Sequence, residues 1–223
     1  MTEEPVSQGT ESVRERRRRA GLRGAVAVLL IVGMTYGWLQ MAQQKGRRQF
    51  EAVEAVEGLG GLVYLDYQWI DGAYDEDASP PQVAWLRTLL GGEVLDRAVA
   101  VDLRAVDQIE EAVHWLRLMP FVREIDATGA PLTDSSLVSC KRLKGLERLK
   151  LDQTLVSDAG LESLVSLPRL GSLSLVDTSV SDDGLDVLTG CRLLRHLDLT
   201  GTETSPPGVD RLRAALSKCE VIQ

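Results

Sequence analysis

The chain has 223 residues, 25 Lys/Arg against 33 Asp/Glu, a formal net charge of −8, and 44% hydrophobic residues. That balance describes a folded protein with room for a core, filled by Leu, Val and Ala because aromatics are only 4%. Residues 1–49 carry nine basic and four acidic residues (+5), and the remaining 16 basic (25 − 9) and 29 acidic (33 − 4) residues sum to −13, a sign that repels phosphate and excludes a nucleic-acid-binding body.

Residues 1–23 read as a basic tail, with Arg14, Arg16 to Arg19 and Arg23. No charged residue occurs in 24–44, and this run is predicted to be a transmembrane helix. At about 1.5 Å per residue it spans a hydrocarbon core of about 30 Å. Tyr36 and Trp38 lie near its far end, where amphipathic rings favour the interface. Six Arg precede it and three basic residues, Lys45, Arg47 and Arg48, follow, so the positive-inside rule keeps the amino terminus cytoplasmic. The expectation is a single-pass cell-membrane protein with its carboxy-terminal body extracytoplasmic. The length of the run and the poor cleavage site around Met41-Ala42-Gln43 argue against a signal peptide. Beside such a span, Arg16 to Arg19 reads as a topology signal supported by anionic lipid.

Residues 45–97 form a predicted linker and α/β cap. Phe50, Val53 and Val56 recur every three residues, predicting a helix over Gln49–Glu57 that Gly58, Gly60 and Gly61 end. Leu62–Trp69 is β-prone, Asp71-Gly72 is a turn signal, and Val83–Leu90 reads as a short helix. The acidic loop Asp75–Pro81 lacks the glycine turn and closing Glu of a calcium loop.

From 98 to 223 the chain repeats. Segments starting at Val122, Leu146, Leu170 and Leu194 superimpose at a spacing of 24 (146 − 122, 170 − 146, 194 − 170). Positions 1, 4 and 6 are apolar: Leu146, Leu149, Leu151; Leu170, Leu173, Leu175; Leu194, Leu197, Leu199. Positions 4 and 6 share one face of a short strand. Thr133-Asp134, Ser157-Asp158 and Ser181-Asp182 follow where a helix begins, with a hydroxyl and a carboxylate suited to capping. Leu161, Leu164 and Leu167, or Leu185, Leu188 and Cys191, then mark a helical face. Val101, Leu103, Val113, Leu116, Met119 and Pro120 form a degenerate earlier unit, giving five units from Ala98. The last has Pro206-Pro207 at its helix start, keeps Val209, Leu212 and Leu216, and ends in a predicted closing strand at Val221-Ile222. A period of this length means a stacked solenoid, since no unit buries its apolar face alone.

The pattern Leu-x-x-Leu-x-Leu-x-x-Thr-x-Val-Ser-Asp-x-Gly-Leu resembles the leucine-rich-repeat family in its cysteine-containing, ribonuclease-inhibitor-like form. Thr154, Thr178 and Thr202 stand where that form often has Cys or Asn. The tail is similar to the terminal unit of small bacterial membrane-anchored leucine-rich-repeat proteins. The resemblance covers about residues 82–223. It implies an α/β fold, a short right-handed solenoid with its parallel sheet on the concave face, behind the transmembrane helix and cap. It also implies a protein partner, with no shared catalytic residues.

The candidate partner-binding residues lie on that face: Asp102, Glu124, Asp126, Arg148, Lys150, Asp152, Ser174, His196 and Asp198. Strand spacing of about 4.8 Å lets Asp126 and Lys150 pair. Ser172 or Ser174 with His196 and Asp198 contains the letters of a hydrolytic triad, but Asp198 sits two positions from His196 and no nucleophile elbow is present, so no catalysis is expected. Two His, and three Cys without Cys-x-x-Cys spacing, predict no zinc; no phosphate loop or other cofactor motif is present. Cys140 and Cys191 occupy core positions two units apart, too far for a disulfide, whereas a Cys191–Cys219 pairing stays open. The expected function is a membrane-anchored protein-binding module. A cytoplasmic-facing substrate adaptor and a purely structural envelope protein are the alternatives.

Overall fold

A computed structural model describes residues 7–70, 73–75, 78–80, 87, 91 and 95–223, with side chains from Leu29 onward except at 69, 70, 73 and 74. The chain divides into two compact parts, Met1–Lys45 and Gly46–Gln223. Helix α1 runs from Ser7 to Gly58 as one 52-residue element, where separate helices over 24–44 and Gln49–Glu57 were expected.

The membrane-span expectation fails. Among the described residues no helix is long and apolar enough to cross a membrane. Thr35, Tyr36 and Gly37 interrupt the apolar run, and Gln40, Gln43 and Gln44 follow it, which lowers its apolar character toward the carboxy-terminal end. The single-pass topology and the extracytoplasmic placement that rested on it are corrected accordingly. Residues 24–28 of the expected span lie outside the described side chains, as do the expected turn at 71–72 and most of the helix expected over 83–90.

In the second part, the end of α1 contributes Ala52, Val53 and Val56 to the core. The helix stops where Gly60 takes φ +93°, a left-handed conformation that a Cβ would penalise, and Gly61 donates its N–H to the Val56 carbonyl at 3.0 Å. Strand β1 (Leu62–Leu65) then lies antiparallel to β4 (Ala98–Asp102), and the short pair β2 (Trp69–Ile70) and β3 (Ala73–Tyr74) forms a separate hairpin. The antiparallel cap strand carries no repeat signature, so its partner was not legible from periodicity.

Five strand–helix units follow: β4 with α2 (Ile109–Leu116), β5 (Glu124–Asp126) with α3 (Asp134–Cys140), β6 (Arg148–Lys150) with α4 (Asp158–Leu161), β7 (Ser172–Ser174) with α5 (Asp182–Leu188), and β8 (His196–Asp198) with α6 (Pro206–Ala215). Strand β9 (Glu220–Ile222) closes a seven-stranded sheet of order β1-β4-β5-β6-β7-β8-β9, parallel from β4 onward. The register is set by the 24-residue period: Val101, Ile125, Leu149, Leu173, Leu197 and Val221 are consecutive partners and all are buried. Burying this row against the helices leaves the residues on either side of it on the open face, because strand side chains alternate.

Helix α4 is shorter than its template. It yields after Leu161 to a 3₁₀ turn over Leu164–Ser166, where the Ser166 hydroxyl donates to the Ser163 carbonyl at 2.9 Å. Leu161, Leu164 and Leu167 still reach the core. The prolines of the last unit sit in the first turn of α6, where a missing N–H costs nothing. All three thiols are unpaired; Cys140 and Cys191 are buried, and burial pushes their pKa values up to about 12 and about 11.

Candidate binding face

Eight of the nine candidate residues lie in two rows on the face opposite the buried Leu row. One row pairs Glu124, Arg148, Ser172, His196 and Glu220 in successive strands, and the other pairs Asp102, Asp126, Lys150, Ser174, Asp198 and Ile222. Neighbours in these rows compensate one another. Arg148 Nε donates to Glu124 Oε2 at 2.6 Å, Lys150 Nζ lies 3.3 Å from Asp126 Oδ2, and His196 Nδ1 lies 3.3 Å from Glu220 Oε2. The Asp126–Lys150 pair is the one expected from strand spacing. Such half-exposed pairs add little stability, but they hold long side chains in defined positions.

Asp102 and Asp152 are also tied by hydrogen bonds within the repeat array. Asp102 is 8% exposed and its carboxylate accepts from the Arg104 backbone N–H and guanidinium. Burial opposes its ionisation, yet the side-chain and backbone hydrogen bonds from Arg104 outweigh that and hold its pKa below the usual 3.8. Asp152 lies beyond the strand and accepts the Val176 N–H at 2.9 Å, a bond that ties two units together. The triad letters are not assembled as a relay: His196 faces Glu220, and the Asp198 carboxylate accepts from the N–H and hydroxyl of Thr200 at 3.0 and 2.6 Å.

On the helical side, the Ser-Asp pairs form a staple between units that capping arguments alone did not reveal. Asp134 accepts from the N–H and hydroxyl of Ser157 at 2.8 and 2.7 Å, Asp158 from those of Ser181 at 2.8 and 2.6 Å, and Asp182 from those of Ser205 at 2.8 and 2.6 Å. Glu110 supplies the first rung, accepting from the hydroxyls of Thr133 and Ser136 at 3.1 and 2.6 Å. The carboxylates occupy the space beside Gly160, Gly184 and Gly208, so a Cβ at any of these would fall on the preceding unit's Asp. Glycine is therefore required there by a neighbouring unit, and Ser136 replaces it in the one unit whose rung is a Glu. The signal was present as Asp followed 23 residues later by Ser and 26 later by Gly. The buried hydroxyls of Thr154 and Thr178, and that of Thr202, donate to the carbonyls of Leu151, Leu175 and Leu199 at 2.6, 2.7 and 2.6 Å, satisfying each turn internally.

The staple should be visible in acid. Hydrogen bonds from the Ser205 hydroxyl and N–H, with help from Arg211, hold the Asp182 pKa below its ordinary 3.8. A folded value below the unfolded one gives stability that is full above the unfolded pKa and lost as pH falls through the folded pKa. Thermal melts should therefore fall on acidification below about pH 4, and the fall should be smaller in Ser205→Ala, which lacks the hydroxyl donor. An unchanged acid dependence in that variant would show the rung to be unimportant.

One feature of the face escaped the sequence. A cavity of about 460 Å³ lies at the amino-terminal edge of β6, β7 and β8, lined by Glu147, Arg148, Arg169, Gly171, Ser172, Leu193, Arg195 and His196. Arg169, Gly171, Leu193 and Arg195 precede the strands, outside the two rows that alternation singles out.

A parallel sheet in 24-residue register, backed by one helix per unit and a continuous row of buried Leu, decides the architecture. It is a leucine-rich-repeat solenoid. The leucine-rich repeats are similar to those of solved structures: an LRR protein of Leptospira interrogans (21% identity, TM-score 0.39, 49% of this chain and 27% of that one), internalin C2 of Listeria monocytogenes (17%, 0.42, 56% and 57%) and internalin F of the same organism (19%, 0.38, 53% and 38%). The chain thus spans between about a quarter and just over half of the length of these proteins. No family model and no curated protein matches the chain.

Proposed function

We propose that the protein is a non-catalytic interaction module that recognises a protein partner through the open face of its repeat sheet. The observation that carries this reading is the ordered charge pattern of that face. Acidic Glu124 and Asp126, basic Arg148 and Lys150, neutral Ser172 and Ser174, and then His196 and Asp198 succeed one another strand by strand, each charged pair braced by its neighbour. Rigid, preorganised side chains reduce the ordering cost of association, and a patterned surface selects partners by electrostatic complementarity.

A photoreactive residue at Ser174 should yield specific protein crosslinks in cell extracts, whereas one at Glu162, on the exposed helical side, should not. Identical adducts from both positions would sink the proposal. Lys150→Glu sets a like charge beside Asp126. It should change stability by less than about 1 kcal/mol in urea melts while abolishing the Ser174 crosslinks.

A further inference from the structure

The cavity at the edge of β6, β7 and β8 is basic on an acidic molecule. With Arg148 paired to Glu124, Arg169 and Arg195 against Glu147 leave a local balance of +1 (2 − 1), on a chain of net charge −8. Arg148 Nε donates to Glu124 at 2.6 Å, so that arginine is already paired. Arg169 is exposed and forms no hydrogen bond or ion pair with the described residues. Arg195 is half-buried and uses one terminal nitrogen on the carbonyl of Leu194 at 3.1 Å. The guanidinium groups of Arg169 and Arg195 suit a carboxylate, which such groups bind through paired N–H donors.

The opening itself is made by Gly171. The equivalent positions of the neighbouring units carry Arg123, Glu147 and Arg195. The nearest atoms to a Cβ on Gly171 would be the carbonyl oxygens of Arg169, Glu147 and Leu193, each at 3.8 Å, which is ordinary contact. The backbone therefore accepts a side chain there, and Gly171 lines the cavity that one would narrow. Leu193, 52% exposed, supplies an apolar lip.

We propose that this cavity captures a Glu or Asp side chain of a protein partner, with an apolar residue beside it resting on Leu193. The inference rests on the reading of the sheet as a partner-binding face and names the chemistry of one end of it. A polyanion fits less well. Glu147 inside the cavity and Glu124 and Glu220 on the adjoining row tolerate one negative charge better than a dense array of them, and the net charge of the chain opposes the approach of nucleic acid.

Fluorescence anisotropy of the full chain with a fluorescein-labelled short peptide carrying one Glu beside one Leu in a Gly/Ser background tests this. The expected result is saturable binding that weakens at least about tenfold in Arg169→Gln/Arg195→Gln. It should weaken equally in Gly171→Val, which keeps every charge, with circular dichroism unchanged in both variants. The same peptide with Lys for Glu should not compete. The proposal is overturned if the unaltered chain does not bind the peptide, if folded variants bind it as well as the unaltered chain does, or if inorganic phosphate or a single-stranded oligonucleotide displaces it at equal concentration. Unchanged peptide binding alongside intact Ser174 crosslinks would remove this inference alone. Lost crosslinks in the unaltered chain would remove the broader reading.

Discussion

Leu173→Asp is expected to abolish cooperative folding of the repeat array. Leu173 is 1% exposed and lies in register between Leu149 and Leu197, in the row that every strand from β4 to β9 contributes to the core. Truncation to Ala would already cost about 2–5 kcal/mol through lost burial and the cavity left behind. Asp adds a carboxylate with no partner, so the total should exceed about 4 kcal/mol, the range of the most damaging single substitutions. Nearest-neighbour coupling in a solenoid carries the damage into the adjoining units. Ser174→Asp is the matched control: one residue further along, it faces the open side next to Lys150 and should cost less than about 1 kcal/mol. Thermal melts followed by circular dichroism separate the two. Equal melting temperatures would mean that the strand alternation is assigned backwards.

Gly184→Ala is expected to destabilise the chain, against helix propensity. In an ordinary helical turn this change gains about 1 kcal/mol, because Ala is the better helix former. Here the new Cβ overlaps the Asp158 carboxylate and crowds Leu161 Cδ1. Asp158 must then rotate away and release the N–H and hydroxyl of Ser181, which it now holds at 2.8 and 2.6 Å. Stranding that amide between two units should cost about 1–3 kcal/mol, leaving a net loss in urea melts. Adding Asp158→Ala removes the overlap, so the double variant should lose less than the sum of the two single ones. A stabilising Gly184→Ala would show that the staple does not constrain the stack.

The unequal legibility of the chain has physical causes. Repetition amplifies weak signals: one Leu at position 4 says little, but Leu149, Leu173 and Leu197 at equal spacing specify a strand, its buried face and its register together. The degenerate first unit was found in this way from Val101, Leu103 and Met119. Segments outside the period had no such support. The β-prone run at Leu62 gave no hint that β1 would pair antiparallel with β4, because strand pairing is a non-local choice. The uncharged, Ala/Val/Leu/Ile-rich run of 24–44 suggested a membrane span, but among the described residues no helix is long and apolar enough to cross a membrane.

The amino-acid sequence by itself determined the solenoid. Period, apolar positions and helix starts are local, and identical units must stack in register to bury them. Only the tertiary structure decided what the polar residues do. Asp102 and Asp152 bind Arg104 and the Val176 amide, while Asp134, Asp158 and Asp182 reach across to the next unit's serine. Arg169 and Arg195, from different units, came to line one cavity that Gly171 leaves open. Hydrophobic burial follows a pattern along the chain, whereas a hydrogen bond or a charge cluster depends on which side chains meet, and that is settled when the units stack.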